Sequence, residues 1–235
     1  MTNGERDALF TGTIPVRDQH HIDSAALETY LASCVQGFCG PIEIEQFRGG
    51  QSNPTYRVSA SGSRYVVRRK PPGKLLPSAH AIDREYRVLA ALQATEVPTP
   101  CVYTLCEDAK IIGTPFYVME YVEGRVYWEL WLPDRDPTFR SAVFDAMNDA
   151  IAKLHSVDYT AVGLGDFGKP RDYVARQIAR WSKQYRASET ETIEEMDRLI
   201  EWLPAHLPDD EETTLVHGDY RLDNMIFDHN KPLLL

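Results

Sequence analysis

The chain has 235 residues, of which 43% are hydrophobic and 26% charged, with a formal net charge of −10. This is an ordinary soluble composition with room for one large domain or two small ones. The acidic balance repels a phosphate-coated partner and argues against nucleic acid as the main ligand. No uncharged apolar run reaches the ~20 residues that span a bilayer, so no membrane partner is expected.

The N-terminal ten residues carry charge and lack an apolar signal core, which points to the cytoplasm. The four cysteines fall as Cys34/Cys39 and Cys101/Cys106. Zinc sites usually space their ligands more tightly and add clustered histidines, and reduced structural thiols are the expectation.

Asp23 is placed to cap a helix through Ala25, Leu27, Tyr30, Leu31 and Val35, which Gly37 and Gly40-Pro41 end. From Ile42 the period changes to two, and Ile42 and Ile44 alternate with Glu43 and Glu45. Arg48 to Pro54 forms a turn, Thr55 to Ala60 returns as a strand, and Ser61-Gly62-Ser63 leads to a third strand over Tyr65 to Lys70. These three strands make an antiparallel meander. Pro71-Pro72-Gly73 breaks it, and a helix is predicted over Ala79 to Ala94. Strands follow at Val102 to Cys106 and Phe116 to Val122, separated by a Gly113-Thr114 turn.

The second half changes character. Helical periodicity covers Thr138 to His155, Tyr173 to Ala187, and Glu191 to about Leu203. A short strand is expected at Thr214 to Val216. A strand-rich half before a helix-rich half gives an α+β, two-lobe organisation, with the lobes at residues 1–123 and 124–235.

The strongest chemical signal is Leu215-Val216-His217-Gly218-Asp219-Tyr220-Arg221-Leu222-Asp223-Asn224. An Asp followed five positions later by an Asn matches the kinase spacing H-x-D-x-x-x-x-N. There the Asp orients or deprotonates the attacking hydroxyl and the Asn holds Mg²⁺. The chemistry needs both in one tight loop, one facing the acceptor and one the metal. A capping Asp in a solvated loop is the plainer reading of the motif taken alone.

With H-G-D in place of H-R-D, the loop resembles that of the aminoglycoside phosphotransferase and choline kinase superfamily. The resemblance covers roughly residues 15 to 235. It is strongest with the phosphotransferase-like proteins related to the domain of acyl-CoA dehydrogenase fusions, through Gly49 to Tyr56, Tyr65 to Leu76, Val162-Gly163-Leu164 and His217 to Met225. It implies a protein-kinase-like two-lobe fold: an antiparallel five-stranded N-lobe with one helix, and a mostly helical C-lobe. Asp219 would be the base, Asn224 a Mg²⁺ ligand and His217 a structural residue.

Gly49, Gly50, Ser52 and Asn53 would border the ATP phosphates, where glycines allow close backbone approach. Arg68 would present a cation to the α- and β-phosphates, with Lys70 as the alternative on the same strand face. Glu85 would pair with that cation. Met119, Glu120 and Val122 would form the hinge against adenine.

Asp166-Phe167-Gly168 spells the kinase metal motif but precedes the catalytic loop instead of following it, and a turn is expected there. The metal-binding Asp implied by the resemblance would fall beyond Leu235, so a C-terminally truncated and inactive chain is the expectation. The function that follows is transfer of the γ-phosphoryl group of ATP to a hydroxyl of a small molecule, with ATP and Mg²⁺ as cofactors. The alternative is a catalytically inactive nucleotide- or metabolite-binding module, and a protein kinase ranks third. Some members of the resembled branch are linked to hydroxyacyl thioesters. Tyr127, Trp128, Trp131 and Trp181 are aromatic candidates for an acceptor pocket, although such residues are more often core.

Overall fold

A computed structural model describes residues 9–49, 53–71, 81–169, 171–208 and 212–235. The chain divides into two compact units, Met1–His155 with Val216–Leu235, and Ser156–Leu215.

The first unit is built on one antiparallel sheet. Its strands are β1 (Thr13–Pro15), β2 (Glu43–Phe47), β3 (Thr55–Ala60), β4 (Ser63–Arg69), β5 (Val102–Cys106) and β6 (Phe116–Glu120). They lie in the order β1-β2-β3-β4-β6-β5. The sheet thus has six strands, not the expected five. The extra strand, β1, pairs Thr13 with Phe47 and Pro15 with Glu45. Three residues are too few for a period-two pattern to show, and Pro15 is tolerated because an edge strand need not donate from every N–H. The expected strand at Thr214–Val216 is not formed. Among the described residues no neighbouring strand receives it, and Val216 is 62% exposed.

Two helices accompany the sheet, α1 (Ser24–Cys34) and α2 (Ile82–Leu92). Asp23 caps α1 as expected, its Oδ1 accepting from Ala26 N at 3.0 Å. The spacing of Leu27 and Leu31 puts both on one face of α1, fully buried against Tyr56, Val58, Val67, Phe116 and Val118. Strand alternation then decides the fate of three consecutive residues of β4. Val67 and Arg69 face the α1 side, and Arg68 between them faces α2.

Helix α3 (Pro137–His155) begins with Pro137 at its first position, and Asp136 Oδ1 accepts from the N–H groups of Thr138 and Phe139 at 2.9 and 3.0 Å. Its Val143, with Phe139 and Met147, joins Tyr127, Leu132, Leu222, Met225 and Phe227 in a second apolar cluster. The cluster's Tyr127 hydroxyl is buried and without a hydrogen-bond partner among the described residues. Removing it should therefore help: Tyr127→Phe is expected to raise unfolding stability by about 1 kcal/mol, because a desolvated hydroxyl contributes nothing in return. Urea denaturation checks this, and a loss of stability instead would show that the hydroxyl is paired in solution.

In the second unit, α4 (Tyr173–Ser188) and α5 (Glu194–Ala205) are joined by Arg186, which reaches Asp197 at 2.5 Å and Glu189 at 3.3 Å. Among the described residues, no helix is long and apolar enough to cross a membrane.

Candidate active site

The site residues anticipated from sequence fall into three groups, all within the first unit. The first group surrounds Arg68. Its Nε donates to Glu85 Oε2 at 2.8 Å and its Nη1 to Thr55 Oγ1 at 3.2 Å. Arg69 serves a different purpose: it is buried on the α1 side, where Nη1 donates to the carbonyls of His21 and Ile112 at 3.2 Å each and the guanidinium lies 5.5 Å from the Tyr56 ring. Lys70 forms no ion pair among the described residues, and only its backbone N–H is engaged, with Pro115 O at 3.0 Å. Of the three cations, Arg68 is the one held against a helix carboxylate.

Glu85 gathers two further donors. Asn53 Nδ2 reaches its Oε1 at 2.9 Å, and the Tyr117 hydroxyl donates to Oε2 at 3.3 Å. Asn53 and Tyr117 are each only 2% exposed. Burial, followed by the Glu85 charge, raises the Tyr117 hydroxyl well above the usual phenol range, with Arg68 opposing. The hydroxyl therefore stays protonated and able to donate at any ordinary pH. Sequence reasoning missed Tyr117. The available signal was its place two residues before Met119, on the same strand face.

Gly49 sits under an aromatic ring. A Cβ added there would fall 2.5 Å from Trp128 Cη2, and the Trp128 ring also meets Phe10 with centroids 5.2 Å apart. Only glycine lets the ring and the turn approach this closely. Gly50 and Ser52 lie outside the described residues.

The second group is the segment after β6. Met119 pairs with Val66 of β4 and Val102 of β5. Glu120 is occupied by β5, its N–H donating to Cys101 O at 2.7 Å and its Oε2 accepting from Cys101 N at 3.1 Å. The Val122 N–H and C=O, by contrast, have no hydrogen-bond partner among the described residues. The ring between them in sequence, Tyr121, is fixed by Phe47 stacked at 6.5 Å and by the Arg64 guanidinium at 4.5 Å.

The third group is the loop bearing Asp219. Gly218 takes φ +80°, a conformation that costs glycine little and turns the chain sharply before the Asp. Asp219 N–H donates to His217 Nδ1 at 3.3 Å, so His217 holds the loop's shape. After the Asp, a 3₁₀ turn over Leu222–Asn224 brings the Asn back, and Asn224 Nδ2 donates to both Asp219 O and Asp219 Oδ2 at 2.9 Å. The buried side chains of Leu222 and Met225 anchor the turn in the second apolar cluster.

Arg221, given no role by the sequence, places Nε 3.0 Å from Asp219 Oδ1 and 3.3 Å from Asp223 Oδ1. The second contact is an ion pair without hydrogen-bond alignment, and Asp223 Oδ1 remains buried and without a hydrogen bond among the described residues. The Asp219 side chain is 63% exposed and accessible to a ligand.

A divalent cation needs oxygen donors. With its N–H groups turned onto Asp219, Asn224 keeps its amide oxygen free of hydrogen bonds among the described residues, beside the Asp219 carboxylate. The pair fits a hard cation as part of its shell. No cluster of three or more His, Cys, Asp or Glu that could hold a metal occurs among the described residues. Elsewhere, in the second unit, Asp166-Phe167-Gly168 lies at a turn in which Phe167 N–H donates to Leu164 O at 2.9 Å. Of the aromatic candidates, Tyr127 is core, packed 5.4 Å from Phe227, while Trp131 and Trp181 are exposed.

Residues 43–235 match the model of the phosphotransferase enzyme family. The chain is 51% identical over 224 residues to acyl-CoA dehydrogenase family member 10 of Mus musculus, a match covering 95% of this chain and 21% of that protein. A candidate aminoglycoside phosphotransferase from Ralstonia eutropha JMP134, solved by crystallography, superposes with a TM-score of 0.83 at 50% identity. That match covers 92% of this chain and 63% of the other. A streptomycin–ATP complex of APH(2″)-IIa shares the fold, with a TM-score of 0.59 at 17% identity over 92% of this chain and 69% of that one. The chain thus spans about a fifth of the mouse relative and under two thirds of the bacterial one.

Proposed function

The chain belongs to the phosphotransferase enzyme family, and from that premise we propose that it transfers the γ-phosphoryl group of ATP to a hydroxyl of a small molecule. The Asp219–Asn224 loop carries this reading: an exposed carboxylate and a free amide oxygen are locked together within one turn. Residues 1–123 would form the nucleotide lobe, and residues 124–235 part of the acceptor lobe. Binding of ATP by a structural neighbour supports the choice of nucleotide.

In the proposed reaction the acceptor oxygen attacks the γ-phosphorus, the bond to the β–γ bridging oxygen breaks, and ADP leaves. Asp219 takes the proton from the acceptor hydroxyl. Arg68, oriented by Glu85, offers its remaining N–H groups to the α- and β-phosphates. Gly49, with Gly50, Ser52 and Asn53, borders the phosphates, and Met119, Glu120 and Val122 line the adenine side, with the unpaired Val122 backbone as its hydrogen-bonding edge. Asn224 would hold Mg²⁺ through its amide oxygen, together with a carboxylate from downstream of Leu235. The ion would supply neutralisation of charge on the phosphates.

A second reading is a module that binds nucleotide or metabolite without turnover. It is favoured by one observation: Arg68 already spends Nε and Nη1 on protein partners, which limits its hold on phosphate. ATP consumption by the full-length protein with Mg²⁺, against amino alcohols, aminoglycosides and hydroxyacyl thioesters, separates the two. Acceptor-dependent ADP release is the expected result. Nucleotide binding without ADP release from any panel member would favour the module.

A further inference from the structure

Glu85 is the junction of three separate pieces of chain. Its Oε2 is shared by Arg68 of β4 and Tyr117 of β6, and its Oε1 is taken by Asn53, two residues before β3. Two long side chains that met only each other would sample many rotamers, and such a pair orients its cation poorly. Here the two additional donors are almost fully buried and cannot be replaced by water without opening the sheet. Both carboxylate oxygens are thereby fixed, and the Arg68 guanidinium is fixed with them, its Nη1 braced on Thr55.

We propose that Asn53 and Tyr117 are positioning residues. Acting through Glu85, they hold Arg68 in the one orientation that meets a nucleotide's phosphates, and Asn53 ties the chain just before β3 to helix α2. The proposal rests on the nucleotide-binding part of the function proposed above. It assigns Asn53 a task on the protein side of the site: its amide donates to the Glu85 carboxylate, where an Asp would set a second negative charge against Glu85. It also explains why a tyrosine occupies the second position of β6. Its ring fills the space beside Tyr86, 6.2 Å away, while its hydroxyl reaches Glu85.

The alternative is that these hydrogen bonds serve stability alone. A double-mutant cycle separates the two, because residues acting through a shared partner lose their effect when that partner is changed, whereas independent contributions add. Asn53→Ala, Tyr117→Phe and Glu85→Gln would be made singly and in pairs in the full-length protein. Affinities for Mg²⁺·ATP and for adenosine would then be measured by calorimetry.

Asn53→Ala and Tyr117→Phe are each expected to weaken ATP binding about fivefold, the effect of one hydrogen bond. Adenosine, which has no phosphate for Arg68 to meet, should bind as to wild type. In the Glu85→Gln background the same two substitutions should each change ATP affinity less than about twofold. Equal losses for ATP and adenosine, losses that persist beside Glu85→Gln, or no loss at all would each overturn the proposal. Failure of the unsubstituted protein to bind ATP would overturn the proposed function first, before any variant is compared.

Discussion

Asp219→Asn is expected to lower phosphoryl transfer by about 10²–10⁴-fold, the range for removing a positioned general base, while ATP affinity and stability stay near wild type. The geometry separates these outcomes. Asp219 contributes little to folding: its side chain is 63% exposed, and its ion pair with Arg221 is of the exposed kind worth about 0–1 kcal/mol. The loop's shape is held by other contacts, namely the Asp219 backbone N–H on His217, the Asp219 carbonyl on Asn224, and the buried Leu222 and Met225. An Asn at 219 keeps the size and the backbone bonds, and it loses the negative charge, with the weak Arg221 ion pair and the ability to accept a proton. Steady-state ADP release should collapse while calorimetric ATP binding persists. Residual activity within about threefold of wild type, below the range for a general base, would remove Asp219 from the base role and leave it as a cap of its own loop.

The parts of this molecule legible in sequence are those specified by neighbours along the chain. Strands β3 and β5 lie at the residues expected, because Ser61-Gly62-Ser63, Pro98 and Pro100 punctuate them. Asp23 announced α1 by its own side chain. The choice among Arg68, Arg69 and Lys70 was half legible, since alternation separates Arg69 from the other two but cannot say which of the remaining pair meets a helix.

What escaped depends on contacts between distant segments. β1 is a strand only because β2 lies beside it, and Thr214–Val216 is not one because no strand among the described residues does. Tyr117 meets Glu85 across 32 positions, and Gly49 meets Trp128 across a longer interval. No local pattern encodes either contact. The meeting of Asp219 and Asn224 was legible for the opposite reason: the acid, the amide and the turn residues all lie within eight positions, so residue spacing and local fold share one signal.

Gly124→Ala should be the most damaging substitution for the fold, costing about 3 kcal/mol of unfolding stability from overpacking and lost backbone hydrogen bonds. A Cβ there would lie 2.5 Å from Phe227 O and 2.5 Å from Ile226 Cγ2, with Leu235 Cδ1 at 3.0 Å. A side-chain atom can swing aside, but the Phe227 carbonyl cannot: it accepts from Arg125 N–H at 2.6 Å while Phe227 N–H donates to Arg125 O at 2.8 Å. Relieving the clash means parting those two segments and drawing the fully buried Phe227 ring away from Tyr127.

Gly49→Ala makes a useful comparison, because its 2.5 Å clash is with the outer edge of the Trp128 ring, which has rotamers to yield into. Its stability cost should stay below about 1 kcal/mol. Because Phe227 follows Asn224 by only three residues, the Gly124 substitution should also displace the Asp219 loop. Urea midpoints for the two variants test the ranking. A Gly124→Ala midpoint equal to that of Gly49→Ala would mean that the 124–227 contact yields in solution, and that the pairing of Arg125 with Phe227 does not hold the loop in place.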